Sequence, residues 1–103
     1  MRACTIDLRV RYQETDQMGV VYYANYLVWF EVARTEFFRT LGLDYRQLEE
    51  KEKIYLPVVG ASCRYRAPLK YDDQVSLTIR LSYVRSARIG FEYEVKLLEK
   101  VCA

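Results

Sequence analysis

Polar and apolar residues alternate from Thr5 to Tyr12, with Ile6, Leu8, Val10 and Tyr12 on one side and Thr5, Asp7, Arg9 and Arg11 on the other. A period of two marks a strand with one buried face. The alternation stops at Gln13, and the stretch to Val21, which holds Asp16 and Gly19, reads as a loop that redirects the chain. The period then becomes helical. Tyr23, Tyr26, Leu27, Phe30, Ala33, Phe37 and Leu41 fall on one stripe, and Gly42 supplies a C-terminal stop. Roughly 19 residues at 1.5 Å each make this helix about 28 Å long, the largest element in the chain. Arg34 interrupts its apolar stripe. A guanidinium there needs a partner, and Glu31, three residues earlier, is the nearest candidate for a buried structural pair.

Asp44 with Gln47 three residues on resembles a capping box and predicts a short second helix to about Lys51. Leu56 to Arg66 reads as a long strand, with Arg64 and Arg66 opposite Cys63 and Tyr65, blunted by Pro68. Asp72 and Asp73 make a turn, Gln74 to Val84 alternates again, Arg85 to Arg88 turns, and Ile89 to Val101 forms the last strand. These three strands predict an antiparallel meander. Strands segregated from one long helix define an α+β class, with the helix lying across one face of the sheet. No repeat or linker divides the chain, so residues 1–103 are expected to form a single domain.

Composition narrows the classes of function. With 51% hydrophobic and 29% charged residues the chain has a globular profile, and its apolar runs fall short of the ~20 residues a membrane helix needs. A cytoplasmic protein with no transmembrane segment is expected. A net charge of +2 with interspersed signs gives no reason to expect nucleic acid as a partner. Cys4, Cys63 and Cys102 suit neither a disulfide framework nor a metal site and are read as free, mostly buried thiols. The sequence contains no histidine. That excludes Ser-His-Asp and Cys-His machinery and disfavours catalytic zinc, so any hydrolytic chemistry here must rest on carboxylates and backbone dipoles. No metal is expected.

Asp16 lies in a loop, followed by Gly19 and an apolar entry into the long helix. Free N–H groups at a helix start can hold a carbonyl oxygen as negative charge develops on it. The same dipole keeps a nearby carboxylate ionised. An acid before a helix is also a common cap, but seven residues separate Asp16 from Tyr23, too many for an N-cap contact if the helix begins there. Glu14 is the one nearby rival, and at the strand's end it reads as a solvated acid.

The run Val10-Arg11-Tyr12-Gln13-Glu14-Thr15-Asp16-Gln17-Met18-Gly19, with the Val-Val-Tyr-Tyr-Ala-Asn-Tyr that follows, resembles the signature of the 4-hydroxybenzoyl-CoA and Tol-Pal-associated acyl-CoA thioesterases. Trp29 to Glu36 and Ala67 to Asp73 are similar to the same family, and the likeness runs from about residue 5 to residue 100. The resemblance implies a hotdog fold, an antiparallel sheet wrapped around one long central helix. It implies that Asp16 is the catalytic carboxylate, as nucleophile or as general base on water, and that the backbone N–H of Tyr23 meets the thioester oxygen. It further implies that Arg85 and Arg88 contact coenzyme A phosphates and that backbone near Val59 and Gly60 receives the pantetheine arm. The partners implied are an acyl-CoA substrate and further copies of the chain, as a homodimer or homotetramer. No cofactor is needed, because coenzyme A belongs to the substrate.

Members of that family usually run further and add another strand, so a C-terminally truncated domain is expected. The alternative to thioester hydrolysis is a non-catalytic acyl-CoA-binding or dimeric interaction module. A hotdog dehydratase is disfavoured, since that chemistry generally leans on histidine.

Overall fold

The computed structural model describes residues 3–42, 46, 50, 53, 55–86 and 88–103. Four strands, β1 (Ala3–Arg9), β2 (Gln74–Arg85), β3 (Arg88–Leu97) and β4 (Lys100–Val101), form one antiparallel sheet in the order β1-β2-β3-β4. The long helix, α1 (Asn25–Thr40), packs on β1 and β2. The α+β arrangement follows from the two periods in the sequence, with one apolar stripe covering one apolar sheet face.

The register fixes what faces the helix. Leu8 pairs with Val75, Ile6 with Leu77 and Cys4 with Ile79 across β1 and β2, and Leu77 pairs with Val95 across β2 and β3. Val75, Leu77, Ile79 and Val95 join Val10 and Leu69 in a core closed by Tyr26, Trp29, Phe30, Ala33 and Phe37 of α1. Alternation along β1 is as read from the sequence, but the strand ends at Arg9. Val10 leaves the ladder to bond the acidic turn, donating its N–H to the Asp73 carbonyl and accepting from Asp72 N–H. Tyr12 therefore sits in a 3₁₀ turn, Tyr12–Glu14, exposed rather than on the buried strand face.

The helix begins at Asn25, and its buried stripe is rotated from the expected one. Trp29 and Phe38 are inside, while Tyr23 and Leu27 point outward. Gly42 ends the helix as expected, at φ +78°, with its N–H on the Arg39 carbonyl. Arg34 reaches across to β3 and donates to the Tyr93 hydroxyl at 2.9 Å, and Glu31 is exposed, so the two do not form the expected buried pair. The second helix expected from Asp44 to Lys51 lies outside the described residues, apart from Arg46 and Glu50, which are helical and form an ion pair.

Two strand expectations need correction. Residues 55–66 run without ladder pairing, and among the described residues the far end is tied to the sheet through Arg66 and Ala67 N–H groups on the Cys102 carbonyl. An open cleft of about 1700 Å³ separates that segment from β3, so it has no neighbour to pair with. The run from Ile89 to Val101 is two strands, because Leu98 takes φ +55° and the chain folds back so that Leu97 faces Lys100. The turns at Asp72 and after Arg85 fall where expected, with Arg85 paired to Arg88. Next to that hairpin end the Tyr83 ring lies so close over Gly90 that a Cβ there would meet it at 2.2 Å. Cys4, Cys63 and Cys102 are free thiols, the last buried and the others half-buried. No helix among the described residues is long and apolar enough to cross a membrane.

Candidate functional site

The segment read as a redirecting loop is a small hairpin. Thr15 and Val21 form an antiparallel bridge, Asp16 N–H donates to the Val20 carbonyl, and Gly19 N–H returns to the Asp16 carbonyl, all in ordinary hydrogen-bond geometry. Gly19 closes the turn at φ +79°, a conformation that costs other residues energy. Val20 and Val21 are held from the other side, by a bridge to Lys70 and by the Leu69 carbonyl. Asp16 thus stands at the mouth of a tight turn rather than on a free loop.

One carboxylate oxygen of Asp16 accepts Met18 N–H at 2.9 Å, an Asx turn, and the side chain is half-buried. The Tyr22 hydroxyl is raised above its usual range, first by the Tyr23 hydroxyl beside it and also, as the last contribution, by the negative charge of Asp16. The rings of Tyr22 and Tyr23 lie 4.7 Å apart. The chain then passes through Tyr23 and Ala24 into α1. Tyr22 N–H is taken by the Glu14 carbonyl, and the N–H groups of Asn25, Tyr26 and Leu27 bond back to residues 22–24. Among the described residues no acceptor engages the N–H of Tyr23 or Ala24, leaving two donors at the positive end of the helix. The Tyr65 hydroxyl donates to the Tyr23 carbonyl at 3.1 Å, and the Tyr65 ring packs edge-on against Tyr23 and Tyr26.

Glu14 is not the solvated acid expected from its place in the sequence. It is 4% exposed. One carboxylate oxygen accepts Arg11 N–H at 2.8 Å, and the other accepts the Trp29 indole N–H at 2.7 Å and the Arg11 guanidinium at 3.4 Å. Burial alone would raise its pKa, but these bonds together outweigh burial and hold it below its ordinary value of 4.5. Its carbonyl accepts both Tyr22 N–H and the Asn25 side-chain amide at 2.9 Å. A strand-end acid carries no local mark of this burial. The signal available was Trp29, whose indole N–H needs an acceptor wherever the ring is buried.

The remaining sequence-predicted residues lie elsewhere. Val59, Gly60 and Arg88 line the cleft between residues 55–66 and β3, together with Phe30, Arg34 and Tyr93. Asp16 and Tyr23 do not line it. Arg85 sits at the end of β2 with its guanidinium 5.0 Å above the Tyr83 ring, a cation–π contact. Within one chain the predicted residues therefore fall into two groups, the hairpin with the helix start and the cleft with the β2–β3 end. No group of three or more acidic or cysteine side chains among the described residues is gathered as metal ligands would be.

The sequence profile of the thioesterase-like superfamily matches residues 10–103. The chain is 49% identical to YneP of Bacillus subtilis over 65% of this chain and 48% of that protein. It is 40% identical to the acyl-CoA thioesterase YbgC of Haemophilus influenzae over 82% of this chain and 62% of that one. It thus spans about half to two thirds of the length of these relatives. Its fold superposes on the DHNA-CoA thioesterase of Staphylococcus aureus with a TM-score of 0.93 and 31% identity, covering 99% of this chain and 68% of that one. A Thermus thermophilus protein, TT1821, gives 0.94 at 34% identity over 98% and 76% of the two chains. The architecture is the hotdog fold.

Proposed function

Because the chain belongs to the thioesterase-like superfamily, we propose that it hydrolyses acyl-coenzyme A thioesters to a carboxylic acid and coenzyme A, with Asp16 as the catalytic carboxylate. The observation that carries this reading is the hairpin of residues 14–22. It sets a half-buried carboxylate beside a helix start whose Tyr23 and Ala24 N–H groups have no acceptor among the described residues. A thioester carbonyl held on those donors gains stabilisation as its oxygen becomes negative, and the helix dipole adds to it. Asp16 then attacks the acyl carbon to form a mixed anhydride, which water cleaves to free the acid and restore the carboxylate, or it removes a proton from a water that attacks the acyl carbon directly. Coenzyme A leaves as the thiolate in either route.

Arg88, and Arg85 at the paired position, are the proposed contacts for coenzyme A phosphates, with Val59 and Gly60 along the pantetheine arm. In a single chain these stand apart from Asp16, and the reading brings the two groups together across copies of the chain, as a homodimer or homotetramer. An outward apolar stripe of Leu27, Val28 and Val32 on α1 supports such association. Light scattering on the purified chain reads its mass directly.

Asp16→Asn is the sharper test, because an amide oxygen can still accept Met18 N–H and keep the turn while the charge is lost. Thiol release from acyl-CoA, followed with a thiol-trapping reagent across aromatic, short-chain and medium-chain substrates, should fall by about 10²-fold or more in both Asp16→Asn and Asp16→Ala. Full activity in both variants sinks the proposal. The open cleft beside β3 favours a second reading, an acyl-CoA-binding module without turnover. Binding with no thiol release from the wild-type chain would select it.

A further inference from the structure

The hairpin and the helix are separate elements, and the site proposed above needs them fixed relative to each other to a fraction of an ångström. Backbone bonds within the hairpin hold residues 15–21 to one another, and Val20 and Val21 are tied to Lys70 and Leu69 rather than to α1. Beside the Asn25 N–H bond to the Tyr22 carbonyl, four hydrogen bonds of Glu14 tie the hairpin, α1 and the segment leaving β1 together. The Glu14 carboxylate holds the indole of Trp29, the second turn of α1, at 2.7 Å. Its carbonyl holds Tyr22 N–H and the Asn25 side chain, the last residue of the hairpin and the first of α1. Its other carboxylate oxygen holds Arg11 N–H, the end of the segment leaving β1. Asp16 follows two residues later.

We propose that Glu14 is a positioning residue for the reaction: its buried carboxylate sets where Asp16 stands relative to the Tyr23 and Ala24 N–H groups at the helix start. The inference rests on the reading of Asp16 and the helix start as the site. The chemistry requires an ionised acid at this place. Three donors converge on two oxygens, and a carboxylate accepts all of them. A glutamine offers one oxygen, and its amide nitrogen would face either the Trp29 indole or the Arg11 N–H, donor against donor. The side chain would swing or the helix start would shift, while the apolar core behind Trp29 keeps the fold together. A purely structural Glu14 would lose stability on substitution. A positioning Glu14 loses rate at a fixed degree of folding.

The experiment measures kcat and KM for acyl-CoA hydrolysis in wild type, Glu14→Gln, Trp29→Phe and Asp16→Asn, at a temperature where near-ultraviolet circular dichroism shows each variant folded. The expected result is a kcat lowered about tenfold to 10²-fold in Glu14→Gln with KM within about twofold, and a smaller loss of the same kind in Trp29→Phe, which keeps the acid and removes one donor. If both variants lower Tm but keep wild-type kcat, or raise KM with kcat unchanged, Glu14 is a structural clamp and the proposal is overturned. Should Glu14→Gln fail to fold, Trp29→Phe decides by the same criterion. Retained activity in Asp16→Asn is a different outcome, since it removes the reading of the site itself whatever Glu14→Gln does. A wild-type chain without turnover overturns both.

Discussion

Two buried ionisable side chains, Glu14 and Tyr26, are shifted in opposite directions, and each adds a pH-dependent contribution to the stability of the fold. Glu14 is held below its ordinary value, so it stabilises the folded state above about pH 4.5 and loses that contribution as pH falls through its folded pKa. Tyr26 is pushed up to about 12, chiefly by burial, with its charged form further disfavoured by the nearby Cys102, Cys63 and Tyr65. Its neutral form belongs to the folded state, so its contribution is complete below pH 10 and is lost between pH 10 and about 12. The expected outcome is cooperative alkaline unfolding in that window, tracked by circular dichroism together with tyrosinate absorbance. Tyr26→Phe should move the transition to higher pH. An unmoved transition would assign it instead to Tyr93 or Cys63, whose pKa values are also raised by burial. The sequence made Tyr26 legible through its helical spacing. It misplaced Glu14, because burial of an acid depends on donors from Arg11 and Trp29 that converge only after the helix has docked.

At the level of elements, periodicity located β1, β2 and α1 and the turns between β2 and its neighbours, since each buries one face against a continuous core. It failed where the decisive interaction was a backbone one. The run after Ile89 keeps a strand-like composition through Val101, yet it breaks at Leu98, a non-glycine residue at φ +55° that is 86% exposed. No turn residue announces the hairpin. For an L residue the left-handed region costs about 1–2 kcal/mol, and Leu lacks the local side-chain bonding that lets Asn occupy it. Leu98→Asn is therefore expected to stabilise the chain by about 1 kcal/mol, read as a higher denaturant midpoint with an unchanged slope. No change, or a lower midpoint, would mean that the β3–β4 turn is not strained. The helix stripe was off by part of a turn for a related reason. Trp29 and Phe38 are inside because Glu14 and the aromatic ring of Phe91 on β3 receive them, partners that no local pattern contains.

As a whole, the chain is less compact than its length requires, with a radius of gyration of 14.7 Å against about 13 Å for a domain of about 100 residues. The excess has a visible source. Residues 55–65 stand across the cleft from β3 with none of their backbone N–H groups bonded to another backbone group among the described residues, and Tyr55, Val58 and Val59 are exposed. The alternation of Cys63 to Arg66 was legible, but a strand is defined by its neighbour, and here that neighbour is missing from the described residues. The same gap explains why Val59, Gly60 and Arg88 gather in one cleft without meeting Asp16. Hydrogen exchange tests this division of the molecule. Amides of Leu77, Ile79 and Val95 should exchange only through global unfolding, whereas those of residues 58–64 should exchange at rates near those of an unstructured peptide. If the 58–64 amides are instead protected in the purified chain, something fills the cleft in solution. Their protection should then fall on dilution if the occupant is another copy of the chain, and it should rise with added acyl-CoA if the cleft receives the pantetheine arm.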